Sequence, residues 1–113
     1  MHDLEKFFKA MSDETRLRMV MLLHKRAFCV CELTDILGES QPKISKHLSK
    51  LKDMGFVTSE RKQKYIYHRF ITDNQAISRM IDIITQETDE FASLMKKADA
   101  CDCVTLPRSA TEA

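Results

Sequence analysis

At 113 residues the chain is sized for one domain, and its core is small enough that association with a second copy would help bury apolar surface. A net charge of +1 excludes a uniformly basic or acidic binder, yet residues 40–70 set Lys43, Lys46, Lys50, Lys52, Arg61, Lys62, Lys64 and Arg69 against Asp53 and Glu60; that block nets +6 and leaves −5 for the remainder, the footprint of a nucleic-acid surface in an otherwise acidic chain. No apolar run approaches the roughly 20 residues of a membrane span and no signal peptide is visible, so the expected location is cytoplasmic, where four cysteines point to metal or redox chemistry rather than to structural disulfides.

Leu4, Phe7, Phe8 and Met11 recur at helical spacing and predict a short first helix. Ser12 is the expected N-cap of a second, with Asp13 and Glu14 favourably placed in the turn that follows. Leu17, Val20, Met21 and Leu23 carry that helix to about His24, and residues 25–29 read as a connector. A third, short helix runs from about Val30 to Leu37 and stops at Gly38. Ser40 is the next N-cap, Pro42 falls in the first turn, where its missing N–H costs nothing, and Ile44, Leu48 and Leu51 line the inner face of a fourth helix ending near Met54-Gly55.

From Phe56 the period changes. Residues 56–60 and 65–70 are rich in aromatic and β-branched side chains and predict two strands, joined by the basic turn Arg61-Lys62-Gln63-Lys64. After Asp73, an expected N-cap, Ile77, Met80, Ile81, Ile84, Thr88, Phe91 and Met95 mark a single long final helix. Its apolar stripe exceeds what so small a core can cover, and a homodimer seam through the first and last helices is the expected use. Residues 99–113 lose periodicity. The expected division is therefore a DNA-binding and dimerisation domain over residues 1–98 and a loose tail over 99–113 that carries Cys101 and Cys103. Helix, helix, short helix, reading helix, hairpin, long helix is the order of a winged helix-turn-helix: α+β, mostly α, with a two-stranded β-hairpin as the wing. Another small α+β domain is the rival reading of the same pattern.

Gly38-Glu39-Ser40 supplies the short Gly-containing turn between the third and fourth helices. With Ile44, Leu48 and Leu51 inward, Ser45, Lys46, Ser49 and Lys50 face out, and Gln41 and Lys43 occupy the first turn, where a recognition helix reaches base edges. Gln41 suits adenine, Lys43 or Lys46 suits guanine or phosphate, and Ser40, Ser45 and Lys50 suit phosphate. His47 flanks the inner face and is either a packed histidine or a DNA contact. Lys62, Gln63 and Lys64 at the hairpin tip would reach the adjacent backbone or minor groove. The partner is expected to be double-stranded DNA.

Three motifs carry a resemblance. Ser40-Gln41-Pro42-Lys43-Ile44-Ser45-Lys46-His47-Leu48, Asp13-Glu14-Thr15-Arg16-Leu17 and Cys29-Val30-Cys31-Glu32-Leu33 together resemble the ArsR/SmtB family of metal-sensing repressors, and within it the arsenical-resistance operon repressors; the similarity covers roughly residues 4–95. It implies a homodimer that holds its operator without effector and leaves when a metal or metalloid binds.

Cys29 and Cys31 sit at the start of the third helix, whose positive dipole end is expected to lower a thiol pKa; the thiolate is the ligating form. Thiolates select soft ions over magnesium or calcium. Trivalent arsenic, As(III), or antimony, Sb(III), takes three sulfurs, while Cd(II), Pb(II) or Zn(II) takes up to four. In the repressors this chain resembles, a third cysteine follows one helical turn later; here that position is Thr34. Either the site uses two thiols, which suits a methylated trivalent arsenical, or Cys101 and Cys103 close it, from the same subunit or its partner. Residues 73–98 contain no His, so the zinc site that some family members build on the last helix is not expected. His2, His24 and His68 are isolated, with surface or packing roles expected. The wing lacks the family's usual Gly, and a tighter or differently bent tip follows. Two alternatives stay open: a thiol redox or persulfide-sensing repressor that links Cys29 or Cys31 to Cys101 or Cys103, and a cytosolic metalloid-binding protein without regulatory DNA binding. With no nucleophile–base constellation, phosphate loop or His-rich catalytic motif, an enzyme is not expected.

Overall fold

Apolar side chains one turn apart wind the first quarter of the chain into two helices. In the computed structural model, which describes residues 2–101, α1 (His2–Ala10) buries Phe7 and Ala10 and leaves Phe8 exposed. The N-cap of α2 (Glu14–Lys25) is Asp13, one residue later than predicted: its carboxylate accepts the Arg16 N–H at 2.9 Å. That bond is the main reason the Asp13 carboxyl lies below its ordinary pKa. Ser12 closes α1 instead, its hydroxyl donating to the Lys9 carbonyl at 2.7 Å. A carboxylate accepts more strongly than a hydroxyl and gains from the positive helix end, so Asp13 takes the cap. Met19 to Leu23 are all buried, which makes α2 the central helix.

The predicted connector contains a strand. β1 (Phe28–Cys29) pairs antiparallel with β3 (Tyr65–Phe70), which pairs in turn with β2 (Val57–Lys62), so the wing hairpin belongs to a three-stranded sheet in the order β1-β3-β2. Between them lie α3 (Val30–Leu37) and α4 (Gln41–Asp53), the predicted helix-turn-helix. Gly38 ends α3 at φ 66, the left-handed region where only glycine is unstrained, and its N–H donates to the Thr34 carbonyl at 2.9 Å. Ser40 caps α4 by accepting the Lys43 N–H, and Ile44, Leu48 and Leu51 face the core.

The wing tip is shorter than the predicted four-residue turn. Lys62 pairs with Tyr65, so Arg61 and Lys62 belong to the strand and Gln63-Lys64 alone make the turn. Two-residue turns need a positive φ to match the strand twist; Gln63, at φ 58, supplies it in a turn that holds no glycine. An L-residue in this region costs about 1 kcal/mol. Gln63→Gly is therefore expected to stabilise the fold by ~0.5–1 kcal/mol, read as a higher urea midpoint; a lower midpoint would show that the Gln63 side chain itself holds the turn.

The predicted single last helix is two. Its N-cap is Asn74 rather than Asp73, the amide oxygen accepting from the N–H groups of Ala76 and Ile77 at 2.9 and 3.3 Å. α5 (Gln75–Glu87) ends at Thr88, which is extended at φ −114, ψ 131 and begins α6 (Asp89–Ala100). Thr88 turns its hydroxyl back to the Ile84 carbonyl at 2.8 Å, and Asp89-Glu90 restart a helix by favouring its positive end. The break lets α6 lean on α2 and α3, clasped by Arg18–Glu90 and Arg26–Asp99 ion pairs. α6 runs two residues into the segment predicted as tail and is followed by Cys101; residues 102–113, with Cys103, lie outside the described residues. The core gathers Phe7, Leu22, Leu33, Ile44, Leu51 and Ile77, with Phe56 stacked on Phe70 at 5.6 Å beneath the sheet. No helix among the described residues is long and apolar enough to cross a membrane.

Candidate thiol site and nucleic-acid interface

Cys29 is both the last residue of β1 and the N-cap of α3, and it is only 4% exposed. Its N–H donates to the carboxylate of Glu32, itself buried, at 3.1 Å. Cys31, two residues into α3, is exposed. Burial pushes the Cys29 thiol up to about 11, with the neighbouring charges of Cys31 and Cys101 adding in the same direction; nearby backbone N–H groups oppose this only in part. The expected lowering by the helix N-terminus is thus reversed, because desolvating a thiolate outweighs the dipole. Thr34, one helical turn after Cys31, spends its hydroxyl on the Cys31 carbonyl at 2.8 Å.

α6 packs along α3 and delivers Cys101, the residue after its last turn, within electrostatic reach of Cys29 in the same chain. Of the two predicted tail ligands, Cys101 thus lies within electrostatic reach of Cys29, while Cys103 lies outside the described residues. Among the described residues no three His, Cys, Asp or Glu side chains are gathered tightly enough to hold a metal ion. The thiols share a neighbourhood without forming a closed ligand set, so capture of an ion would have to draw them together.

In the second helix of the helix-turn-helix, α4 and its cap present Ser40, Gln41, Lys43, Lys46 and Lys50 to solvent and hold Ser45 half-buried. Lys43 is tethered to Glu39 at 3.2 Å, and Glu39 also accepts the Thr15 hydroxyl at 3.2 Å; the Lys43 bond keeps the Glu39 carboxyl below its usual range. His47 packs back toward the α2 cap, its Nε2 3.7 Å from the Asp13 carboxylate and its side chain 14% exposed. Burial lowers its pKa against the pull of Asp13. The Asp13–Arg16 motif therefore braces the recognition helix. At the wing, Gln63 and Lys64 are exposed, while Lys62 is half-buried and 3.7 Å from Glu60. His68 bonds the Ser59 hydroxyl at 2.7 Å and His24 meets Ser78 at 3.2 Å, packing roles for both.

The structure adds one cation that sequence reasoning did not select. Lys6 of α1 lines a shallow groove with Lys46, Ser49, Lys50, Asp53 and Met54. Lys6 lies far upstream of the basic block, and only the packing of α1 beside α4 brings it there.

Residues 13–59 match the family model described as "Bacterial regulatory protein, arsR family". The arsenic resistance transcriptional regulator ArsR1 of Pseudomonas putida is 38% identical over 88 residues, covering 76% of this chain and 69% of that protein. The arsenic resistance transcriptional regulator ArsR2 of the same organism is 44% identical over 86 residues, covering 74% and 75%. Among solved structures, HlyU from Vibrio cholerae superposes with a TM-score of 0.68 at 25% identity, covering 75% of this chain and 90% of that one.

Proposed function

We infer that this chain, which belongs to the arsR family of bacterial regulatory proteins, is a cytoplasmic repressor that holds double-stranded operator DNA as a homodimer and lets go when As(III) or Sb(III) is captured by Cys29, Cys31 and Cys101. The chain is a DNA-binding transcriptional regulator, not an enzyme. The observation that supports the finer reading is the return of α6 to α3, which brings Cys101 within electrostatic reach of Cys29 at the start of the helix-turn-helix.

Closing three thiols on one ion would move the end of α6 and the β1–α3 junction toward each other. β1 is bonded to β3 and α3 leads into α4, so the strain reaches both the wing and the recognition helix. Two recognition helices must match half-sites about one DNA turn apart, and a small rotation of each spoils the fit. Release follows only if the ion binds the non-matching arrangement better. Exposed Phe8 on α1 and Ile83 on α5 support a dimer seam through these helices. Residues 1–98 supply DNA binding and dimerisation, and the segment after them supplies ligands, with Cys103 as a further donor for the larger shells of Cd(II), Pb(II) or Zn(II).

Operator binding measured by fluorescence anisotropy, under reducing conditions, tests the reading. Titration with As(III), Sb(III), Cd(II), Pb(II) and Zn(II) is expected to release the wild type with the trivalent ions and to fail, or need far more ion, in Cys101→Ser. Equal release in both proteins would place sensing on Cys29 and Cys31 alone. The rival reading by thiol oxidation draws on the same Cys29–Cys101 proximity, but a thiol raised to about 11 is a poor nucleophile. Release by peroxide and not by any ion would favour it.

The DNA surface makes its own prediction. Lys6→Ala, Lys46→Ala and Lys50→Ala are each expected to weaken binding on any sequence and, with two copies in the homodimer, to flatten the dependence of log K on log salt by about 1.8. Gln41→Ala is expected to cost ~1–3 kcal/mol on the cognate operator only. A Lys6 variant with an unchanged salt slope would remove α1 from the interface.

A further inference from the structure

Asp99 stands in the last turn of α6, the end of a helix where a carboxylate is disfavoured by the dipole. Its partner accounts for it: Asp99 Oδ1 accepts from Arg26 Nη2 at 2.6 Å. Arg26 is itself fixed by its surroundings. Its N–H closes α2 on the Leu22 carbonyl at 3.1 Å, its guanidinium lies 5.5 Å from the ring centroid of buried Phe28, and its side chain is 16% exposed. Lys25, Arg69 and Met95 complete the cleft around the pair. In the chain, Arg26 precedes Cys29 by three residues and Asp99 precedes Cys101 by two. One ion pair thus joins the two thiol-bearing segments just upstream of each thiol.

We propose that the Arg26–Asp99 pair is the positioning element of the thiol site: it holds the end of α6 against the start of β1 and sets how often Cys101 comes within bonding reach of Cys29 and Cys31. The proposal rests on the thiol-sensor reading above. The first turn of α6 has its own clasp in Arg18–Glu90, and Arg26–Asp99 does the same work at the opposite end of the helix. Loss of the pair therefore loosens the thiol end of α6 selectively. An ion pair with one exposed partner contributes little to global stability, so the effect is local: the sensor loses reach and the fold stays intact.

Dibromobimane, which fluoresces when it bridges two thiols, reads this reach directly. The test uses the full-length chain with Cys103→Ser, compared with the same chain carrying Asp99→Asn or Asp99→Glu, with peptide mapping of the bridge. Asp99→Asn is expected to slow bridging between Cys101 and the Cys29–Cys31 pair about fivefold and to raise the As(III) midpoint for operator release by a similar factor; Asp99→Glu, which keeps the charge, restores most of both. With Cys101→Ser added, Asp99→Asn is expected to leave the As(III) midpoint unmoved. Equal bridging with and without the Asp99→Asn substitution overturns the clamp, as does a shifted midpoint in the Cys101→Ser background, since that would be a general structural effect. No bridging to Cys101 in the parent chain overturns the thiol-site reading itself, so the two failures are told apart.

Discussion

Cys29→Ala is expected to raise the As(III) concentration needed for operator release by at least about 100-fold while leaving ligand-free operator affinity within about twofold. Removing even an outer partner of a metal ligand typically costs 10–100-fold, and here a ligand itself is lost. The substitution is chosen for its packing. Cys29 is buried between β3 and the start of α3, where a thiol behaves as a small hydrophobe, so alanine keeps the apolar wall and the N–H that Glu32 accepts. Serine at this N-cap would complete a capping box with Glu32 and confuse loss of ligand with a change in the start of α3. Anisotropy titrations of the variant and the wild type on one operator give the comparison; an unmoved midpoint would take the sensing site away from this pair.

What was legible in the sequence was mostly local. Gly38, Ser40 and Pro42 bracket the helix-turn-helix because each answers a backbone requirement at one position, and α3 and α4 fall where those residues place them. Competition among neighbours was harder to see. Ser12 and Asp13 are both good caps, and the stronger acceptor wins; Asn74 prevails over Asp73. Two residues of strand have no period, so β1 was invisible until β3 paired with it. Thr88 interrupts an apolar stripe whose spacing runs on across the break, and periodicity alone cannot report a change of direction. At the site, the Cys-x-Cys pair and the basic helix stand out in the sequence, whereas the burial that raises Cys29, the approach of Cys101 and the placing of Lys6 beside Lys46 are products of tertiary packing.

The raised thiol also separates the effectors by pH. A divalent cation that binds Cys29 must displace its proton, so affinity rises tenfold per pH unit for that thiol at any pH below about 11. Between pH 6.5 and 8.5, Cd(II) affinity is expected to climb about 100-fold on this account alone. Against an ordinary thiol near 9.0, the shift handicaps a cation at neutral pH by about 3 kcal/mol. Arsenious acid escapes the handicap, because As(OH)3 condenses with three thiols to give As(SR)3 and three waters, with no net proton released. Its midpoint is expected to stay nearly flat over the same range. Parallel titrations of the ligand-free protein with Cd(II) and As(III) check this; equal slopes would mean that Cys29 is not a ligand or is not held protonated. The sign for the fold is consistent: a pKa raised on folding stabilises below the unfolded value near 9.0, and that stability is lost as pH climbs through about 11.

The break at Thr88 has a consequence for how such chains diversify. α5 carries exposed Ile83 and is rooted in the core by Ile77 and Ile81, while α6 attaches by Leu94, Ala98 and two ion pairs. The twelve residues of α6 thus form an exchangeable cassette: a duplicated copy can acquire a different helix there, with a different donor at its end, while the elements that recognise DNA are inherited unchanged.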